Sequence, residues 1–446
     1  MRFNREKEGN MLLARRSLLA VGITLAMLAG TAAAMGCSSA SPSDVPPAAQ
    51  AQISSVRYAA TYPLQCETIA KTRVNAKGIT IGHTVENLHE ICEAPTVRDL
   101  NGDPVYDEDG NTIPIEAAYD ANTNSYDINL LSDEQLIEMN LRSGCVSCKT
   151  SRFNEIYAQQ GAAAFGSPYN AEARAIVGDD YFDCALCHTG EPSADNVQPT
   201  LMYFPALGAG LADHLDERNG VCAQCHNSYD YRSLIETEND LQRFQAYRNG
   251  YDVDGLFETC WEDGVNFDVD PKTGIAESYV LHPTIELFMG TKMQMLGLTC
   301  CDCHMTKTTS ADGEEFTDHF SANSPLESAD SLTFCLNCHE RQGVRSTDEM
   351  VAFVRGKQAE QAEDLAALQK REAAFKQALE QAVAERGKDD PSLDEVKKLY
   401  AKVTWYDTCL VTGPSESPGS QVAMLDWRGI LKKANGAGDE GMALLG

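Results

Sequence analysis

Apolar positions recur with helical spacing most clearly toward the end of the chain. From Thr347 to Arg386 the residues are rich in Ala, Glu, Gln, Lys and Leu, and Leu365, Leu368, Phe375, Leu379 and Val383 form a stripe. Such spacing places these side chains on one side of a 3.6-residue helix and predicts a long amphipathic helix. Gly387-Lys388-Asp389-Asp390-Pro391 ends it, because glycine and proline continue a helix poorly. A second helix follows, with Ser392 and Glu395 spaced as a capping box and Leu393, Val396, Leu399 and Val403 as its apolar positions. Two uses are open to this long C-terminal helical hairpin, within residues 346–446: packing on its own chain, or dimerisation.

Elsewhere the pattern is weaker. Period-two alternation is scarce, so the fold class expected is mainly α. Between residues 145 and 339 apolar periodicity is faint and the connections are rich in Gly, Asp, Asn and Pro. Residues 99–127 read as a surface insertion with turns. At the start, Arg2, Arg5, Lys7, Arg15 and Arg16 precede an apolar run from Ser17 to Ala34, then Met35-Gly36-Cys37-Ser38-Ser39. Residues 1–36 therefore read as a signal peptide. Gly36-Cys37 resembles a lipoprotein processing site, with Ala34 standing where leucine is usual, and Cys37 becomes the lipidated end. The run is short for a span, which needs about 20 apolar residues. Residues 37–60, rich in Ser, Pro and Ala, form a flexible tether.

The central region gains its meaning from cysteine. Four stretches read Cys-x-x-Cys-His: Cys184, Cys187 and His188; Cys222, Cys225 and His226; Cys300, Cys303 and His304; Cys335, Cys338 and His339. This is the signature of covalent haem c attachment, in which two thiols add across the haem vinyls and the histidine ligates iron. A fifth, Cys145-Val-Ser-Cys148-Lys149, has lysine in the last place. Residues 61–345 are thus expected to be a pentahaem domain with a haem-packed core, which accounts for the faint apolar periodicity. Haem c is attached to unfolded chain outside the cytoplasm. Export by the general secretory route therefore fits better than a twin-arginine reading of Arg15-Arg16.

A haem with two histidine ligands can do little except pass electrons. Lysine ligates as the neutral amine, and with no second strong ligand its iron keeps a position for substrate. The competing reading is a degenerate cysteine pair that receives no haem. Of nine histidines, His83, His89, His214, His282 and His319 lie outside the motifs. Four can serve as distal ligands and one remains for the active site. A surface histidine together with a methionine-ligated haem gives the same totals. Cys66, Cys92, Cys260, Cys301 and Cys409 are left over, and Cys66 with Cys92 could form a disulfide. The formal charge of −30 argues against nucleic acid and anionic bilayers. It solvates the surface and would attract a basic patch on an electron donor.

The lysine motif first, four histidine motifs after it and a helical C-terminus resemble the pentahaem ammonia-forming cytochrome c nitrite reductases. Cys222-Ala-Gln-Cys225-His226-Asn227-Ser228-Tyr229 resembles the segment whose tyrosine lines that family's active site. His282-Pro283-Thr284-Ile285-Glu286 resembles the segment supplying the distal active-site histidine. Cys300-Cys301-Asp302-Cys303-His304-Met305 followed by Phe316-Thr317-Asp318-His319 resembles the fourth motif with a downstream distal ligand, and Gly82-His83 another distal site. The similarity runs from about residue 80 to the C-terminus and is strongest between 220 and 340.

The resemblance implies that nitrite binds the Lys149 haem and is reduced by six electrons to ammonium. His282 delivers protons or hydrogen-bonds a nitrite oxygen, and Tyr229 orients and donates. It also implies a quinol-oxidising membrane cytochrome as donor, and it tips the C-terminal helices toward a homodimer. Three departures stand out. No arginine follows Gly82-His83 at the family's distance, so Arg142 is the candidate anion holder, with Arg98 the runner-up. Ser228 and Leu281 occupy positions where the family holds calcium, and neither is a suitable oxygen donor, so that calcium is expected to be absent. Two family distal histidines are missing, with Met293 and Thr412 near their places. Either His89 and His214 take over, or one haem is His/Met with a raised potential. Hydroxylamine, sulfite or an organic acceptor is the alternative substrate, and a purely electron-carrying cytochrome the third reading.

Overall fold

The computed structural model describes residues 55–72, 119–120, 125–126, 141–178, 180–207, 211–228, 235, 237, 240, 245–280, 283–321, 324–411 and 426–446. The leader and Cys37, His83, His89, Cys92, Arg98, Tyr229, Leu281, His282 and Thr412 lie outside the described residues, as does most of the insertion at 99–127. Helix α1 (Pro63–Lys71) starts at a proline, which suits a first helical turn, and carries Cys66. A single helical turn at Ser55–Tyr58 lies within the end of the expected tether. In the insertion, β1 (Tyr119–Asp120) pairs antiparallel with β2 (Ser125–Tyr126).

The cysteine-rich region is built from short pieces. Helices α2 (Phe153–Gln160), α3 (Ala171–Val177) and α4 (Glu217–Ala223) are about two turns each. Helix α5 (Val253–Asp263) opens on Asp252, whose carboxylate accepts from the Gly255 N–H at 2.9 Å, and stops at Gly264 in the left-handed region, φ 67°. A hairpin, β3 (Phe267–Val269) with β4 (Ala276–Ser278), leads to α6 (Thr284–Phe288) and then α7 (Cys300–His304). A second hairpin, β5 (Lys307–Thr309) with β6 (Glu315–Thr317), precedes α8 (Ala329–His339). Every strand pairing among the described residues is two-stranded, in keeping with the scarce alternation of the sequence.

Helix α9 (Thr347–Arg386) has 40 residues and is about 60 Å long at 1.5 Å per residue. All five residues of its expected stripe are buried. The second helix, α10 (Asp394–Val411), likewise buries Leu393, Val396, Leu399 and Val403 at its start and along its face. Its cap differs from expectation. Asp390 accepts from the Ser392 N–H at 2.9 Å and opens a 3-10 turn ahead of the helix, so the capping oxygen comes two residues earlier than a Ser392 box. A third helix, α11 (Trp427–Leu445), turns the hairpin into a three-helix stack. Its glycines lower helix propensity and hide it in the sequence. One of them is needed: a Cβ on Gly441 would overlap the Phe375 ring of α9, so the two helices meet only because that side chain is missing.

The C-terminal helices buttress the segment that leads into the site. Trp405 donates its indole N–H to the Val253 carbonyl at 2.9 Å, and Glu258 lies 2.8 Å from Lys398 and 3.0 Å from Lys402. Ser278 of β4 donates its N–H to Thr404 Oγ1 at 2.9 Å and its hydroxyl to the Ala401 carbonyl at 2.7 Å. No described helix is long and apolar enough to cross a membrane.

Asp407 on α10 is half-buried, and burial pushes its carboxyl up to about 6 against a hydrogen bond from Gln369. A folded-state value above the unfolded one stabilises the fold below the ordinary carboxylate range, and that contribution is lost as pH rises through about 6. Asp407→Asn should flatten the fall in Tm between about pH 4 and pH 7 and raise stability by on the order of 1 kcal/mol above that range. Melting curves of both proteins across that range check it, and parallel Tm profiles would refute it.

Candidate functional site

Each cysteine pair sits on a turn or short helix that its neighbours hold. The lysine motif begins in a 3-10 turn, Ser143–Val146. Its approach is fixed by the Ser143 N–H donating to the Ser167 carbonyl at 2.8 Å and the Tyr169 N–H to the Leu141 carbonyl at 3.0 Å. A Cβ on Gly144 would come within 2.6 Å of the Phe165 carbonyl oxygen, so glycine lets the two backbones touch. Beneath lies a box of Phe153, Tyr157, Phe165 and Tyr203, with ring centroids 5.1–6.4 Å apart. Tyr203 reaches out of it and donates its hydroxyl to the Ser147 carbonyl at 3.2 Å.

Lys149 is buried, 7% exposed. Its carbonyl accepts from the Phe182 N–H at 2.7 Å, and Phe182 holds φ 49°, a left-handed conformation unusual for a non-glycine residue. The next residue, Asp183, is buried and accepts from the Ser151 hydroxyl at 2.8 Å and the Ala185 N–H at 2.7 Å. Burial pushes its carboxyl up to about 7 despite those hydrogen bonds. Asp183 thus caps the second motif and ties it to the first.

The remaining motifs continue this bracing. Gln224, between the cysteines of the third motif, donates its amide to the Leu186 carbonyl of the second at 2.5 Å. Its oxygen accepts from the Thr200 and Leu201 N–H groups at 3.0 and 3.1 Å. Cys225 Sγ lies 3.2 Å from the Cys148 carbonyl, joining third to first. Asn219 accepts from the Cys300 N–H at 2.8 Å, joining fourth to third. Ser331 donates its hydroxyl to the Cys303 carbonyl at 2.8 Å, joining fifth to fourth. All five motifs therefore form one connected set.

These residues fit haem. The motif cysteines are half-buried or, for Cys338, exposed, whereas Cys260 and Cys409 are sealed in the core; Cys66 and Cys301 are half-buried. Thiols that bond to a large planar group must present sulfur at the edge of the protein packing. His188 and His319 face one another with ring centroids 6.4 Å apart and planes 32° apart. Two imidazoles bound to one metal by bonds of about 2 Å have ring centres roughly 6 Å apart. His188 Nδ1 lies 3.1 Å from the Ser193 carbonyl and 3.0 Å from Asn196 Oδ1, and His319 Nδ1 lies 2.8 Å from the Thr317 carbonyl. Each Nδ1 therefore carries the proton and each Nε2 is left to ligate. Burial lowers the proton affinity of both rings, which favours the neutral ligand form. Thr68 and Thr72 hold the second ring's backbone: Thr68 Oγ1 accepts from the His319 N–H and Thr72 Oγ1 donates to its carbonyl, both at 3.0 Å. Among the described residues no three His, Cys, Asp or Glu side chains converge as a metal-ion cage.

The other expected residues fall as follows. His226 and His304 are half-buried within their motifs, and half-buried His339 lies with its ring 5.3 Å from Phe353. His214 is exposed, its ring 4.4 Å from that of Tyr251. Arg142 is half-buried just before the lysine motif, its backbone bridged to Pro168. Met293 packs against the main apolar cluster. The segments flanking Tyr229 and His282 meet: the Ile285 N–H donates to the His226 carbonyl at 3.0 Å, and the Ser228 N–H to Glu286 Oε1 at 2.9 Å. Sequence reasoning missed Asp183, Gln224, Glu286, Thr68 and Thr72. Only Asp183, one residue ahead of a turn, carried a recognisable capping signal.

Cytochrome c-552 of Haemophilus influenzae is 31% identical over 145 residues, which is 32% of this chain and 25% of that protein. The alignment thus spans a quarter of the length of that relative. The solved cytochrome c nitrite reductase of Desulfovibrio desulfuricans, described for its two calcium sites, superposes with a TM-score of 0.56 at 15% identity over 88% of this chain and 86% of that one. That likeness establishes a shared fold. The outer cell wall cytochrome OcwA aligns at a TM-score of 0.32 and 15% identity over 76% of this chain and 59% of that one, too low to support any argument. The sequence profile of the cytochrome c552 family matches residues 124–417, a stretch that runs through all five cysteine pairs. On that match, the chain belongs to the cytochrome c552 family.

Proposed function

We propose that the protein is an extracytoplasmic multihaem reductase with five covalently held haem c groups, reducing nitrite to ammonium by six electrons at the haem of Cys145, Cys148 and Lys149. One observation carries this reading: among five Cys-x-x-Cys motifs a single one ends in lysine, and that lysine is buried in the hub where the first three motifs meet. Haem, when bound there, supplies an iron that accepts electrons and offers an axial position to a small anion. The chain's own residues do the rest. His188, His226, His304 and His339 would hold the other four haems, with His83, His89, His214 and His319 as their partner ligands. The motif-to-motif hydrogen bonds would hold these groups close to one another, as passing electrons between them requires.

His282 moves protons to the bound anion and Tyr229 orients it by donating a hydrogen bond. The contact between their flanking segments supports a shared pocket. Arg142 contributes positive charge at the entrance to the lysine motif. Ser228 gives its N–H to Glu286 and has no carboxylate, so the family's calcium is absent. The leader exports the chain, Cys37 anchors it through lipid, and the three C-terminal helices pair two copies. Acidic charge draws a quinol-oxidising membrane cytochrome as electron donor. The altered anion site, with no arginine at the family's distance after Gly82-His83, favours one second reading, a terminal reductase for hydroxylamine, sulfite or an organic acceptor.

Low-temperature EPR of the purified protein should show one high-spin haem among low-spin ones, and nitrite should shift it. Only saturated low-spin signals, or four haems per chain, would reduce the protein to an electron carrier. Steady-state assays with a dye donor should rank nitrite above hydroxylamine and sulfite in kcat/KM, and the reverse order selects the second reading. Arg142→Ala should raise the KM for nitrite about tenfold at unchanged haem content; unchanged affinity and turnover would remove Arg142 from the site. Metal analysis after dialysis should find calcium well below one per chain, and a stoichiometric ion would contradict its absence.

A further inference from the structure

Helix α6 buries Ile285, Leu287 and Phe288, as a short helix next to a core should. Its fourth buried residue is a carboxylate. Glu286 is 1% exposed, and its Oε1 accepts two hydrogen bonds, from the Ser228 N–H at 2.9 Å and the Tyr247 hydroxyl at 2.7 Å. Burying a carboxylate is costly unless its oxygens are well bonded, so an apolar side chain would be the cheaper way to fill this space. What a carboxylate adds is direction. Its neighbour Ile285 donates to the His226 carbonyl at 3.0 Å, so consecutive residues of α6 grip consecutive peptides of the turn that follows the third haem motif. Two bonds in series fix both the spacing and the tilt of the two segments. Tyr247 donates to the same carboxylate oxygen and so adds a second restraint on its orientation.

We propose that Glu286 is a positioning residue: it locks the His226–Ser228 turn to α6, the two segments that flank the proposed catalytic residues Tyr229 and His282 in the sequence. The inference rests on the proposed catalytic roles of those two residues, but the lock itself does not. Hydrogen bonding and not charge does the holding. Glutamine should therefore substitute, because its amide oxygen accepts the same two bonds, while alanine should not. Tyr247→Phe removes only one bond and leaves the packing volume almost unchanged.

The test uses the haem-loaded protein throughout. Hydrogen–deuterium exchange should show the peptide containing Ser228 losing about tenfold or more of its protection in Glu286→Ala, an intermediate loss in Tyr247→Phe, and little change in Glu286→Gln. With nitrite, Glu286→Ala should lower kcat about tenfold or more at equal haem content, whereas Glu286→Gln stays within about threefold. Unchanged exchange at Ser228 in Glu286→Ala overturns the lock. If Glu286→Ala fails to take up haem, the Tyr247→Phe and Glu286→Gln pair decides: equal protection of Ser228 in both overturns it, and a loss in the phenylalanine variant alone supports it. If the wild-type protein does not turn over nitrite, the proposed activity fails, and the exchange measurements still decide the role of Glu286.

Discussion

The side chain of Gln224 holds three stretches of chain together, and the haem centres depend on bonds of this kind. It spans from the third cysteine motif to the second and to the strand-like run at Thr200 and Leu201. Turns of three to five residues have no stability of their own, because a single helical turn fixes several dihedrals for one hydrogen bond. The elements that carry the lysine motif and the second and fourth motifs are of that size. They keep their shape only because each is bonded to another, through Asp183, Gln224, Asn219 and Ser331. Buried polar groups are the price of that arrangement, and each of these four is well partnered.

The long-range parts of this fold were readable from spacing, and the short-range bracing was not. The stripe of Leu365, Leu368, Phe375, Leu379 and Val383 announced α9 because burial on a long helix leaves a period in the sequence. Helix α11 left no such mark, since glycines that permit close approach also look like helix breakers. Cysteine spacing pointed to haem because the chemistry needs two thiols and a ligand in fixed order. Gln224 and Glu286 were invisible for a physical reason. A side chain that bridges segments far apart in sequence has no local pattern, and any amide or carboxylate looks like a surface residue until its partners are known. Asp390 shows the same limit at small scale, since several neighbouring residues could have supplied the cap and only the backbone decides which does.

The C-terminal stack bears on the segment leading to α6 through one strand. Ser278 is bonded twice to α10, and the chain leaving β4 runs within a few residues to His282 and then α6. A shift of α10 along its axis would be carried by that strand. The C-terminal helices are thus mechanically part of the frame that holds β4 and α6, and the ion pairs of α10 with Glu258 keep α5 in the same frame.

The facing rings of His188 and His319 have a consequence for how the chain comes to be folded at all. They are separated by about 130 residues of sequence, and one iron gripping both closes that whole stretch into a ring. Closing a loop of that length removes a large share of the wandering open to the unfolded chain. A haem held by both rings would in this sense be a rivet as much as a relay. Maturation outside the cytoplasm would then set the shape of the domain at the same moment that it completes the electron path.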